Sequence, residues 1–252
     1  MRKVALVAVL LVLFGGLMSA QQTQQPPQTP PAQQTPQQVA QPPRLPASPP
    51  GQAATQVGGK WAVLKEGAAP RYTGGKWIVV DYGRPILRGR KEIFGTPAPA
   101  AAKGKPAAPK SATGKPAALA YGEKVNDGSP VWRVGANVTT RLRTEVPLLV
   151  GGKTLAAGEY SMFVDLDNGK WTMILSTQPY QQKYDPNNKT DTWGSYNYDK
   201  QYDVLRAPMT MSKSAATIDQ FTIQFVNMTD TGGTLQMLWE KTVASVSFKV
   251  GQ

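Results

Sequence analysis

Gly158-Glu159-Tyr160-Ser161-Met162-Phe163-Val164-Asp165-Leu166-Asp167-Asn168-Gly169-Lys170-Trp171-Thr172-Met173-Ile174-Leu175 is the stretch that decides the fold class. Tyr160, Met162 and Val164 alternate with Ser161, Phe163 and Asp165. A period of two places each set on its own face of a strand. Asn168-Gly169 follows, a dipeptide that tolerates the positive φ of a two-residue hairpin loop. Trp171 to Leu175 then reads as a short apolar strand returning along the first.

The same pattern extends in both directions. Trp77, Val79 and Asp81 alternate with Ile78, Val80 and Tyr82. Phe221, Ile223 and Phe225 alternate with Thr222 and Gln224; Leu235, Met237 and Trp239 form one face; Val246, Phe248 and Val250 form another. Gly151-Gly152 sits between two strand-like runs, and Thr231-Gly232-Gly233 gives a further turn. No window of a dozen residues carries a helical stripe. The expectation is an all-β chain: a single antiparallel two-sheet β-sandwich, or a barrel-like sandwich. Roughly 170 strand-patterned residues are enough for one such core.

What surrounds this core differs in composition. Arg2 and Lys3 precede the apolar run Val4 to Phe14, and Gly15, Gly16, Ser19 and Ala20 supply small residues before a polar stretch. That is the layout of a cleavable signal peptide over residues 1–20, with an uncleaved N-terminal anchor as the alternative. The expected location is periplasmic or secreted. The chain has no cysteine, so a lipid-modified N-terminus and a disulfide framework are both ruled out. Residues 21–57 are rich in Gln, Pro, Ala and Thr and read as a disordered spacer biased toward polyproline II. The sandwich domain is then expected over 58–252. It is interrupted by a second low-complexity stretch, 96–120, with four lysines and no acid or aromatic side chain. Loop-closure entropy rises slowly with length, so one domain tolerates such an insertion.

This partition changes the meaning of the net charge of +12. Residues 122–252 hold thirteen basic and thirteen acidic side chains and are neutral. The excess lies in the flanking segments and in 58–95, with a cluster at Arg84, Arg88, Arg90 and Lys91. Nucleic acid is therefore not an expected partner. A membrane is expected to be touched only through the N-terminal segment, if that segment stays on the chain. Oligomeric state is left open.

The absence of histidine removes Ser-His-Asp and Cys-His chemistry, and with it the usual zinc sites. The phosphate-cradling and dinucleotide glycine loops are missing too. Asp165 to Gly169 begins like a calcium loop, but its twelfth position is Ser176, not glutamate, and it reads as an Asx-rich turn. No cofactor and no metal are expected. Two constellations remain. Tyr180, Tyr184, Trp193, Tyr196, Tyr198 and Tyr202 lie within 23 residues, either packing a long loop or facing a sugar. The second is cationic: Tyr82, Arg84, Arg90, Trp132, Arg133, Asn137, Arg206 and Trp239. Arginine forks suit carboxylate or phosphate and stack on aromatic rings. The plainer reading of these arginines is a structural network with Asp and Glu.

Tyr82-Gly83-Arg84-Pro85, Arg88-Gly89-Arg90-Lys91-Glu92-Ile93-Phe94-Gly95, Trp132-Arg133-Val134-Gly135-Ala136-Asn137 with Thr140, Gly151-Gly152-Lys153, Asp203 to Arg206 and Trp239-Glu240 together resemble a bacterial family, domain of unknown function 2911. The resemblance runs from about Trp77 to Val250. It implies that 96–120 is inserted between the Phe-Gly motif and Tyr121-Gly122. It marks the motif residues as site candidates and names no ligand.

Three functions follow as expectations. The first is a non-catalytic exported binding module with the eight cationic-constellation residues in one pocket, for an unknown small anionic or envelope ligand. The second is a carbohydrate- or cell-envelope-binding module using the Tyr180 to Tyr202 aromatics. The third is a histidine-independent enzyme built on Tyr, Arg and a carboxylate.

Overall fold

Alternation along each apolar run becomes two faces of antiparallel sheet in the computed structural model, which describes residues 46–98 and 120–251. The expected signal peptide, most of the spacer and residues 99–119 of the insertion lie outside the described residues. Twelve strands are described: β1 (Pro50–Val57), β2 (Lys60–Ala62), β3 (Arg71–Thr73), β4 (Lys76–Gly83), β5 (Thr140–Thr144), β6 (Leu148–Val150), β7 (Lys153–Leu155), β8 (Gly158–Asp165), β9 (Thr172–Ser176), β10 (Asp203–Pro208), β11 (Thr210–Thr229) and β12 (Gly232–Val250). Among the described residues one short α-helix, α1 (Glu123–Asn126), accompanies them.

A six-stranded sheet has the order β1-β4-β5-β8-β9-β10, and a four-stranded sheet the order β11-β12-β6-β7. β2 and β3 pair only with each other. All pairings between strands are antiparallel and neither large sheet closes on itself, so the expected all-β antiparallel sandwich is an open one. One set of each alternation points into the core: Ile78, Val80 and Tyr82 of β4, Met162 and Val164 of β8, and Leu235, Met237 and Trp239 of β12 are all buried, and in β8 Ser161 and Phe163 on the opposite face are buried too. They join one apolar cluster that draws on both sheets.

Three expectations need correction. The spacer does not run to residue 57: Pro50–Val57 is β1, paired along its whole length with β4 from Pro50↔Gly83 to Val57↔Lys76. Its inward contribution is small, Ala53 and Val57, so composition masks it. Asn168-Gly169 does not make a two-residue loop. Asp165 pairs with Thr172, and the six residues between turn through a short 3-10 segment. Leu166 and Trp171, both buried, need that longer path to reach the core. The third turn lies earlier than expected, with Thr229 opposite Gly232 and Asp230-Thr231 at the tip. Gly151-Gly152 does form a two-residue hairpin, between Val150 and Lys153.

The two ends of the insertion meet. Gly122 N donates to Phe94 O at 2.7 Å, so the polypeptide entering at 96 and leaving at 120 interrupts the fold without separating its flanks.

Candidate functional site

The motif residues gather at one end of the sandwich, because glycines let two loops cross there. A Cβ on Gly83 would lie 2.0 Å from Ala136 O, and one on Gly135 would lie 2.6 Å from Gly83 O. Only glycine permits that approach. The crossing bends the 133–137 turn hard: Val134 has φ 55 and Asn137 φ 64, a region that a β-branched residue enters at a cost of about 1–2 kcal/mol. Thr140 Oγ1 donates to Val134 O at 2.9 Å and holds the turn.

Beneath the turn lies an aromatic cluster. Trp132 is 1% exposed. It stacks parallel to Trp239 at 6.3 Å and meets Phe94, Trp171 and Phe221 edge-on. Its backbone exchanges two hydrogen bonds with Val164, at 2.8 and 2.9 Å. The loop after β4 is tied down by Glu240, whose carboxylate accepts from the backbone N–H groups of Glu92 (2.8 Å) and Ile93 (3.1 Å).

Above the cluster is a cleft of about 260 Å3. Arg90, Lys124 and Arg133 supply its cations, Asp127 its one carboxylate, and Trp239 and Asn137 also line it. Arg90 lies over the Trp239 ring at 5.8 Å. Its Nε and Nη2 donate to Leu87 O (3.0 Å) and Ile86 O (2.8 Å), which fixes the fork. Arg133 donates from Nη2 to Asp127 Oδ2 at 3.1 Å and sits over the Tyr196 ring at 5.3 Å. Asp127 also accepts from the Tyr196 hydroxyl. That bond, reinforced by Arg133, holds the Asp127 carboxyl below its ordinary range, so it stays ionised and engaged. The same bond raises the Tyr196 phenol, which therefore keeps its proton.

Five of the eight residues singled out from sequence thus line one cleft: Arg90, Trp132, Arg133, Asn137 and Trp239. The other three do not, which corrects the expectation of a single eight-residue pocket. The Tyr82 hydroxyl, buried, accepts from Ile223 N at 2.9 Å and joins β4 to β11. Arg84 donates to Phe221 O and Thr222 Oγ1, both at 3.3 Å, at the same seam. Arg206 lies on the outer face of the six-stranded sheet, where it pairs with Asp165 (2.7 Å) and Asp203 (2.9 Å). For these three the structural network is the reading that fits. Lys124 and Asp127 went unnoticed in the sequence. They carry no motif and reach the cleft only because α1 and the turn after it pack beside Arg133.

The aromatic segment 180–202 covers the outer face of the six-stranded sheet. Tyr198 packs edge-on against Phe163 at 5.0 Å, and Ser161 Oγ donates to Gln178 O at 3.0 Å. Tyr180 is covered by the Arg141 guanidinium at 4.6 Å and accepts from Gln182 Nε2 at 2.7 Å. Tyr184 is the most exposed of the six, beside Trp193 at 5.8 Å. A second depression of about 280 Å3, lined by Asp81, Arg141, Tyr180 and Gln182 among others, lies on this side. Arg141 and Arg143 are matched there by Asp81 and Glu159, so it carries no excess charge. Among the described residues no group of three or more acidic side chains is placed to hold a metal.

The fold and this end of it define an open antiparallel β-sandwich with a cationic, aromatic-floored cleft between loops. The family described as "Protein of unknown function (DUF2911)" matches residues 66–248. The chain belongs to that family. No curated protein and no solved structure matches it.

Proposed function

We propose that this protein is an exported, non-catalytic binding module that holds a small anion, a carboxylate or a phosphate, in the cleft formed by Arg90, Lys124 and Arg133. The observation that carries the reading is the charge balance of the cleft: three cations face it with one carboxylate, and that carboxylate is already engaged by Arg133 and Tyr196. A guanidinium clamped by two backbone carbonyls is preorganised, so little side-chain entropy is lost on binding. Export rests on the N-terminal sequence pattern. The non-catalytic reading rests on the missing histidine and on the raised Tyr196 phenol, which is a poor base at neutral pH.

The test is a thermal-shift and calorimetric titration of the full chain with inorganic phosphate and succinate. Binding to the native state raises the melting temperature. Arg90→Gln and Arg133→Gln each weaken the affinity by about tenfold, the scale of one charge-assisted hydrogen bond. Arg206→Gln, on the other face, leaves it unchanged. Failure of both anions to raise the melting temperature, or retention of affinity in the Arg90→Gln/Arg133→Gln double variant, overturns the proposal. The glycan reading rests on the exposed Tyr184 beside the half-buried Trp193. It predicts instead that Tyr184→Ala abolishes a fluorescence response to oligosaccharides that the arginine variants keep.

A further inference from the structure

Between β1 and β4 the chain leaves the sandwich and forms the separate β2–β3 ribbon, with Trp61 paired across from Tyr72. Gly58-Gly59 and Gly74-Gly75 mark its base. A Cβ on Gly59 or Gly75 would lie 2.4 or 2.6 Å from the Tyr72 ring, so the glycines let that ring seat between them. The Tyr72 hydroxyl accepts from Gly59 N at 2.8 Å and donates to Asp230 Oδ1 at 3.3 Å. The ribbon is thereby anchored to the β11–β12 turn.

Its tip is apolar and faces water. Trp61 is 71% exposed, Leu64 65% and Val63 58%, the three most exposed large hydrophobic side chains among the described residues. Among the described residues the Tyr72 ring meets Trp61 edge-on at 5.6 Å, and no other element covers the three side chains. A soluble protein that keeps Trp, Val and Leu together on a projecting turn has a partner for them. Lys60, Lys65, Arg71 and Lys76, all exposed, lie along the ribbon and at its base, against two acids, Glu66 in the tip loop and Asp230 at the base. An apolar tip flanked by lysine and arginine, with a tryptophan at its shoulder, is the composition that enters the interface of an anionic bilayer. A protein groove or a sugar would answer the apolar tip or the tryptophan but not the excess of cations over acids beside them.

We infer that the β2–β3 ribbon is a membrane-docking element: Trp61, Val63 and Leu64 enter the headgroup region of an anionic phospholipid surface, and Lys60, Lys65, Arg71 and Lys76 contact its phosphates. This contact is independent of the N-terminal apolar segment and of the anion cleft.

The cysteine-free sequence provides the test. A Val63→Cys full chain carries one environment-sensitive fluorophore at the tip, and a Lys153→Cys chain carries it in the Gly151-Gly152 hairpin. The label reports its own position, whatever the N-terminal segment does. With vesicles of phosphatidylcholine and phosphatidylglycerol in roughly equal parts, the emission at 63 shifts to the blue and the emission at 153 does not. With phosphatidylcholine alone neither moves. Trp61→Ser/Leu64→Ser and Lys60→Gln/Lys65→Gln/Arg71→Gln each lower the vesicle partition coefficient by about tenfold or more, and added salt weakens binding further. These side chains are exposed, so the melting temperature of the variants stays that of the parent. An unmoved label at 63, an equal shift at 153, an equal shift on neutral vesicles, or a shift produced by a soluble protein and not by lipid overturns the inference.

Discussion

Gly83 shows what a single residue decides in this molecule. In the sequence it is one glycine after a strand. In the structure it is the point where the β4 exit and the 133–137 turn touch, with Ala136 O too near for any side chain. The clash is with backbone, so it cannot be relieved by a rotamer change. Gly83→Ala is expected to lower stability by at least ~2 kcal/mol through overpacking, measured as a fall in the urea midpoint. It is also expected to weaken phosphate binding, because the loop it displaces carries Arg133 and Asn137. Trp132 illustrates the opposite case. Its motif marks it as a site candidate from sequence, yet its burial and which rings it meets were not legible there. Phe94, Trp171, Phe221 and Trp239 come from four distant segments. The candidate arginines were legible as residue types, and their separation into cleft and seam was not. Arg84 and Arg90 are six positions apart, yet one bonds to β11 and the other lines the cleft.

Among the elements, the 177–202 segment depends most on polar groups. Tyr198 is its anchor: the ring packs on Phe163, and the hydroxyl donates to Asp203 Oδ2 at 2.7 Å beside Arg206. Burial first, and then the bond to Asp203, hold the Tyr198 phenol well above its ordinary value of 10.0. A group whose folded pKa is raised contributes stability that is fully present below the unfolded pKa. That stability is lost as pH rises through the folded value. The protein is therefore expected to lose stability on the alkaline side, above about pH 10. Tyr121, Tyr160 and Tyr196 are shifted in the same direction. Tyr198→Phe keeps the ring and removes the titration, so its melting temperature falls less steeply between about pH 9 and 12 than that of the parent. An identical slope for the two would remove Tyr198 from this role. Strands with a clear period of two, β4, β8 and β12, could be read from the sequence. β1 could not. Only Ala53 and Val57 face inward from it, and what makes it a strand is the row of backbone hydrogen bonds that β4 offers.

For the whole molecule, one apolar cluster runs from Val57 on β1 to Leu155 on β7 and Phe248 on β12, drawing on both large sheets. Sheets that share a core in this way unfold together. Tryptophan fluorescence and far-ultraviolet circular dichroism are expected to report coincident urea transitions, since Trp132, Trp171 and Trp239 are buried members of that core. Two resolved transitions would show the sheets to be separable. The net charge of +12 also takes its meaning at this scale. The neutral stretch 122–252 builds most of the sandwich, while among the basic residues of 58–95 Arg90 lines the cleft, Arg84 bonds to β11 and Lys60, Lys65 and Arg71 lie on the β2–β3 ribbon.

The sequence by itself determined the β-sandwich class, the place of the insertion, the family resemblance and the chemistries that cannot occur. It does so because side-chain period, turn composition and the absence of histidine and cysteine are local or global properties that need no folding to be read. Tertiary structure alone decided which arginines share a cleft, that Lys124 and Asp127 complete it, that Pro50–Val57 is a strand, and that Trp61, Val63 and Leu64 stay outside. Those outcomes depend on backbone crossings and on which apolar surface finds a partner. Spacing along the chain does not encode either one.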